Sequence, residues 1–210
     1  LDRLGIKVIG IPGSIDNDIW GTNMAIGVDT ALNTILDAID KLRDTATSHN
    51  RGFVIEVMGR NCGYLALMGG ILGGAELIVT PEDPPTMDEV VTALKDAYVR
   101  GKSHAIAVVA EGAPYHTTDL AAYLNQQSTG FEIRITILGH IQRGGSPSAF
   151  DRLLATRMGV NAAERLLRGE SSVMVGLDGR DISAVPLSDV TTKARVISPE
   201  YFAMAHVLSR

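Results

Sequence analysis

The stretch Gly10-Ile11-Pro12-Gly13-Ser14-Ile15-Asp16-Asn17-Asp18 decides how the rest of the 210 residues is read. Just upstream, Ile6-Lys7-Val8-Ile9 is a short run rich in β-branched residues, the pattern of a buried strand. The chain then turns through Pro12-Gly13 and presents a hydroxyl, two carboxylates and a carboxamide within five residues. Open α/β sheets bind ligands in the crevice beyond the carboxyl ends of their strands, so this placement marks a candidate site.

Working outward, strands and helices alternate. Val28, Leu32, Ile35, Ile39 and Leu42 recur at three- and four-residue spacing, an amphipathic helix of about four turns. Residues 53–57 form a strand ending in Met58-Gly59-Arg60, and residues 62–75 are apolar almost all round. That second stretch predicts a buried helix whose glycines allow close backbone approach, with Met68 in the core. Leu77-Ile78-Val79 is a strand stopped by Pro81, Pro84 and Pro85, and Thr86-Met87-Asp88-Glu89 is a capping box opening a helix with Val90, Val91, Leu94 and Ala97 inward.

A strand over 105–110 ends in Glu111-Gly112, and a short helix covers 120–124. Residues 132–138 alternate as a half-buried strand and run into Gly139-His140-Ile141-Gln142-Arg143-Gly144-Gly145-Ser146-Pro147. A long helix over 149–167 ends at Gly169, and Asp178-Gly179 between two apolar runs signals a hairpin. The tail, Pro199 to Arg210, ends in a helix. The pattern is a doubly wound, mainly parallel α/β architecture, with no internal repeat.

The 45% hydrophobic composition is normal for a folded core. A net charge of −5 and a pI near 5.5 set nucleic acid aside as the main partner, since phosphate-backbone binding needs a basic surface. Local basic clusters can still bind small anions. Cys62 is the one cysteine, which excludes an intrachain disulfide framework and a multi-Cys zinc site and fits a reducing cytoplasm. No apolar run reaches the roughly 18 residues of a membrane helix and no secretory signal is visible, so no membrane partner is expected. The chain opens at Leu1 directly before a strand, and reads as a fragment of a longer protein.

Two familiar motifs fail. Gly101-Lys102-Ser103 resembles the end of a P-loop, but the glycine that motif requires at position 96 is Asp. Asp16 to Gly27 starts like a calcium loop, yet Trp20 cannot ligate and the twelfth position is glycine. What survives is a set of polar groups at strand ends: Asp16 and Asp18, then Arg60, Glu111, and His140 with Arg143. Arg presents a planar fork that binds phosphate bidentately, and a carboxylate base beside Arg and phosphate is what phosphoryl transfer requires. Singly, each has a plainer reading. A lone Asp after a strand is more often a cap or turn former. Arg134 reads as a solvated strand residue, His104 is as much surface as site, and His49 and His116 read as surface.

Four segments together, residues 12–18, 58–63, 110–112 and 139–147, resemble the bacterial ATP-dependent 6-phosphofructokinase family, in family order and over essentially the whole chain. The resemblance implies transfer of the γ-phosphoryl of ATP to the 1-hydroxyl of fructose 6-phosphate, a step of glycolysis, in two doubly wound lobes that exchange chain segments. Asp16 stands as the base, Ser14 (usually Thr in the family) touches the transferred phosphoryl, and Arg60 completes the catalytic set. Ile15, Met58, Gly59 and Glu111 join them around the sugar. Arg51, Arg134, His140, Ile141, Gln142 and Arg143 serve the 6-phosphate end, with Arg51 and Arg134 reaching in from a neighbouring subunit of a homotetramer. Asp18 lies near Mg2+.

Arg43, Gly74, Glu76, Arg100, Lys102, Ser103 and His104 stand at the positions of the family's nucleotide effector site. Residues 1–27 and 142–192 belong to the ATP lobe, which is partial here, and 28–141 and 193–210 to the fructose 6-phosphate and effector lobe. Pyrophosphate-dependent relatives tend to carry Lys before the hydroxyl residue, so Gly13 favours ATP. Rival readings are a pyrophosphate donor, another sugar phosphate, or a regulatory module that binds without turnover.

The family's Gly-Gly-Asp-Gly segment, which cradles ATP phosphates, has no counterpart among Gly69-Gly70, Gly73-Gly74 and Gly144-Gly145. The 210 residues alone are therefore predicted not to phosphorylate fructose 6-phosphate in a coupled assay, and measurable turnover by them would refute this.

Overall fold

The computed structural model describes residues 1, 4–47 and 51–208; His49 lies outside them. In chain order they form β1 (Ile9–Gly10), α1 (Val28–Thr47), β2 (Arg51–Val57), α2 (Tyr64–Leu72), β3 (Leu77–Val79), α3 (Met87–Val99), β4 (Ala105–Ala110), α4 (Thr117–Gln126), β5 (Glu132–Ile137), a 3-10 helix (Gly139–Arg143), α5 (Ala149–Leu167), β6 (Val173–Asp178), β7 (Asp181–Pro186), α6 (Leu187–Thr192) and α7 (Pro199–Leu208). The chain divides into two compact units, residues 1–31 with 145–196, and residues 32–144 with 197–210.

The second unit is built on a four-stranded parallel sheet in the order β3-β4-β2-β5. β4 is buried at every position, which is why its sequence runs apolar instead of alternating. On one face Val54, Val79, Ala107 and Val109 pack with Val90, Val91 and Leu94 of α3 and Leu120 and Leu124 of α4. The opposite face meets α2, where a Cβ on Gly70 would lie 2.4 Å from Ile78 and one on Gly69 would lie 2.8 Å from Ile35 of α1. The predicted glycine-mediated approach is present. The burial is less complete than predicted, because Leu72 is 57% exposed at the helix end.

The capping box of α3 forms, with Thr86 accepting from the Glu89 N–H and Glu89 accepting from the Thr86 N–H. These hydrogen bonds lower the Glu89 pKa, so the box is complete above the ordinary carboxylate range and is lost as pH falls through the lowered value. The strand predicted over 132–138 is present but exposed at Ile135 and Ile137. It is the sheet edge, and the Asn125 carboxamide covers its backbone only at Ile133.

The first unit holds β1, β6 and β7, with β1 parallel to β6 and β6–β7 a hairpin whose two loop residues are Gly179 and Arg180. Gly179 has φ 59°, the left-handed geometry that a tight hairpin loop requires. β1 is shorter and later than the expected 6–9 and only half-buried, because among the described residues it pairs on one side alone. Leu154, Met158 and Ala162 of α5 pack on Val175 and Leu177 of β6.

Two helix N-termini in this unit satisfy each other. The buried Asp151 of α5 accepts from the Gly27 N–H (2.9 Å), the Thr30 N–H (2.8 Å) and the Thr30 hydroxyl (2.5 Å), capping α1 from outside its own chain segment. Ser148, the N-cap of α5, donates its hydroxyl to Asp29 of α1, and its N–H donates to the Thr30 hydroxyl (3.0 Å). Asp151→Ala strips two N–H donors of their acceptor, and is expected to cost roughly 2–4 kcal/mol, read as a lower denaturation midpoint of the full-length protein.

Candidate active site

Parallel strands bring the ends of β2, β4 and β5 to one edge of the second unit. There the backbone zips segment to segment. The Glu111 N–H donates to the Val57 carbonyl (2.8 Å), the Gly112 N–H to the Gly59 carbonyl (3.1 Å) and the Leu138 N–H to the Glu56 carbonyl (3.0 Å). Gly59 has φ 132°, and a Cβ there would sit 2.4 Å from the Cys62 carbonyl oxygen. A Cβ on Gly112 would lie 2.0 Å from the Arg60 carbonyl oxygen, so this turn admits glycine alone.

Gln142, 1% exposed, closes the other side: its Oε1 accepts from the Met58 N–H (3.2 Å) and its Nε2 donates to the Gly139 carbonyl (3.0 Å). Its side chain therefore acts on backbone. Arg60, Glu111, His140, Ile141 and Arg143 are exposed along the same edge, whereas Met58 and Gly59 are buried beneath it. The edge carries two guanidiniums, an imidazole and a carboxylate on a rigid backbone, an arrangement that can hold a phosphorylated polyol.

In the first unit, the acidic loop follows β1. Asp16, Ser14 and Ile15 are half-buried and Asp18 exposed. Ser14 donates its hydroxyl to Asp18 (2.8 Å), and the Asn17 N–H closes a turn on the Ser14 carbonyl (3.2 Å). Asp18 thus presents a hard oxygen donor of the kind Mg2+ takes together with phosphate oxygens and water. Among the described residues, no group of three His, Cys, Asp or Glu could hold a metal by itself. A Cβ on Gly13 would meet nothing within 4 Å. Packing does not demand glycine there.

The amino-terminal edge of the second unit's sheet gathers a different set. Glu76, 6% exposed, accepts from the Ile106 N–H (2.7 Å) and from Lys102 (2.8 Å). Arg43 donates to the carbonyls of Gly73 and Gly74 at the C-terminal end of α2, where a cation favours the helix dipole. The Lys102 N–H bonds the Ala97 carbonyl (3.1 Å) and Arg100 is the C-cap of α3, so the basic run is the helix stop and not a P-loop. Ser103 lies 3.5 Å from Nδ1 of the half-buried His104.

Arg51 and Arg134 also sit at this end, both paired with Glu132, at 3.7 Å for the Arg51 Nε. Seven-residue β2 separates Arg51 from Met58 by roughly 23 Å. That length keeps Arg51 away from the edge that carries His140 and Arg143, while Arg134 lies opposite Phe53, further along the sheet.

A family model for phosphofructokinase matches residues 1–166. The chain belongs to the phosphofructokinase family. It is 51% identical over 204 residues to an ATP-dependent 6-phosphofructokinase of Thermotoga neapolitana, covering 97% of this chain and 63% of that protein. It is 49% identical over 209 residues to the ATP-dependent 6-phosphofructokinase of Clostridioides difficile, covering 100% of this chain and 65% of that one. Among solved structures, the phosphofructokinase of Saccharomyces cerevisiae matches with a TM-score of 0.84 and 38% identity over 97% of this chain and 27% of that one. The chain thus spans a little under two thirds of the bacterial relatives it matches.

Within this phosphofructokinase-family chain, three structural residues escape a reading by motif. Asp151 caps a helix 121 residues away in sequence, and nothing local marks it. Glu82 accepts the Gly63 N–H at 2.8 Å, capping α2 in place of a missing side-chain cap. Asn17, inside the quoted motif, turns out to be buried and left-handed, with φ 52°. Gly112→Ala is expected to cost about 1–3 kcal/mol by forcing the 58–60 turn aside, measured by denaturant unfolding of the full-length protein; an unchanged midpoint would show that the turn yields freely.

Proposed function

We propose that this protein transfers the γ-phosphoryl of ATP to the 1-hydroxyl of fructose 6-phosphate, giving fructose 1,6-bisphosphate and ADP in the cytoplasm. The observation that carries the reading is the carboxyl edge of the second unit, where backbone zipping holds Arg60, Glu111, His140 and Arg143 on one rigid rim. Its match to the named relatives over nearly its whole length supports the same reaction.

In this mechanism the Asp16 carboxylate takes the proton of the sugar 1-hydroxyl as its oxygen bonds to phosphorus and the bond to the ADP oxygen breaks. Ser14 orients the transferred group, and Arg60 offsets the charge that develops on it. Met58, Gly59, Ile15 and Glu111 shape the sugar site, and His140, Ile141, Gln142 and Arg143 form the 6-phosphate end. The side chain of Gln142 is committed to Met58 and Gly139, so its part is to hold the rim. When bound, Mg2+ neutralises phosphate charge, and Asp18 is the residue that would serve it.

Arg51 lies too far along its strand to reach the phosphate held by its own chain, and Arg134 pairs with Glu132 at the amino-terminal side. We assign them to the site of a neighbouring copy, in a homotetramer. Arg43, Gly74, Glu76, Arg100, Lys102, Ser103 and His104 form a nucleotide effector site, supported by the Lys102–Glu76 pair and the Arg43–Gly74 contact. The functional division follows as residues 1–27 and 142–192 for ATP, and 28–141 and 193–210 for sugar phosphate and effector.

Two substitutions in the full-length protein test this. Asp16→Asn is expected to lower kcat by roughly 100- to 10,000-fold, the usual range for a lost general base. Gly13→Lys, at a position with open space, is expected to leave stability within about 0.5 kcal/mol of wild type while reducing turnover with ATP. Turnover of the wild type with pyrophosphate instead of ATP would select the other donor, and silence with both would sink the reaction.

A further inference from the structure

The acidic loop contains one residue whose conformation is costly and whose side chain is fully used. Asn17 is 2% exposed and adopts φ 52°, a left-handed geometry that asparagine visits but most residues with a Cβ avoid. Its carboxamide is consumed at both ends: Oδ1 accepts from the Ala25 N–H (3.0 Å) and Nδ2 donates to the Asn23 carbonyl (3.2 Å). Asn23 is in turn fixed to the β6–β7 hairpin. Its N–H donates to the Leu177 carbonyl (2.7 Å), its Oδ1 accepts from the Gly179 N–H (2.6 Å), and Arg195 donates to its carbonyl (2.7 Å). Thr22 adds a second tie, accepting from the Leu177 N–H (3.0 Å) and donating to the Met24 carbonyl (2.8 Å).

The chain thus reverses directly after Asp16, and the buried Asn17 side chain joins the reversal to a segment that Asn23 and Thr22 fix to a sheet hairpin. Other residue types each lose something there. Glycine would relax the backbone but leave the Ala25 N–H without its acceptor. Aspartate would keep the acceptor but turn a carboxylate oxygen toward the Asn23 carbonyl oxygen and add a third negative charge between Asp16 and Asp18. Alanine would lose both bonds and keep the backbone cost.

We propose that Asn17 is a positioning residue: its buried carboxamide, tied through Asn23 to the hairpin, fixes the direction in which Asp16 presents its carboxylate. The inference rests on the reading of Asp16 as the base. It predicts an effect on the chemical step and not on sugar-phosphate binding, whose proposed ligands belong mostly to the second unit.

The test uses the full-length protein with ATP, Mg2+ and fructose 6-phosphate, comparing Asn17→Gly, Asn17→Asp and Asp16→Asn with wild type. Asn17→Gly is expected to lower kcat by roughly 10- to 100-fold while KM for fructose 6-phosphate stays within about twofold, the pattern of a misplaced reacting group. Should Asn17→Gly fail to fold, the isosteric Asn17→Asp carries the same expectation. Full kcat in either variant overturns the positioning role, as does a KM that rises in step with the fall in kcat. Turnover that survives Asp16→Asn would instead remove the base on which the inference depends.

Discussion

At the carboxyl edge of the four-stranded sheet there is no room for a side chain between two turns. Gly59 and Gly112 exist because the loops after β2 and β4 approach until their backbones bond directly, with the Gly112 N–H on the Gly59 carbonyl. The side chains that flank these glycines, Arg60 and Glu111, are thereby set on a surface that cannot move independently of the sheet. Gln142 extends the same logic to the 3-10 helix after β5. A polar side chain left only 1% exposed is normally a cost, and here it is offset because both halves of its amide are satisfied by backbone.

The same sheet separates its charges by edge. Exposed Arg60, Arg143 and His140 stand at the carboxyl ends of the strands, and Arg43, Arg51, Lys102 and Arg134 at the amino ends. At the amino edge the cations are largely engaged. Arg51 and Arg134 share Glu132, and Lys102 pairs with the buried Glu76, whose second oxygen holds the Ile106 N–H. Glu76 therefore does structural work between β3 and β4, and a ligand that recruits Lys102 must leave that carboxylate with its backbone donor alone.

Much of this was legible in the residues. The 3.6-residue period of α1, the apolar run of β4, the capping box at Thr86 and the stop at Gly169 are local signals, each written within a few positions. The strand-end polar groups could be found because parallel topology puts all carboxyl ends on one side. What stayed hidden was long-range or conformational. Asp151 reads as an ordinary first-turn acid of α5, and only the fold brings α1 to it. β1 was expected to be longer because its apolar run is longer, but pairing on a single side does not hold Ile6 in place, and it is 50% exposed. Asn17 was visible as one carboxamide in the motif, with no local cue that its side chain would be buried.

Tryptophan and tyrosine are divided between the two units. Trp20, the one tryptophan, belongs to the first unit and carries the Lys193 ammonium 4.2 Å from its ring centroid. All five tyrosines, at 64, 98, 115, 123 and 201, belong to the second. Burial and the nearby Glu89 push the Tyr115 phenol up to about 12. Within these 210 residues the optical signals divide by unit: indole fluorescence reports the loop beside Asp16, and tyrosinate absorbance reports the four-stranded sheet and its helices. These 210 residues carry their own two-colour label without any dye attached.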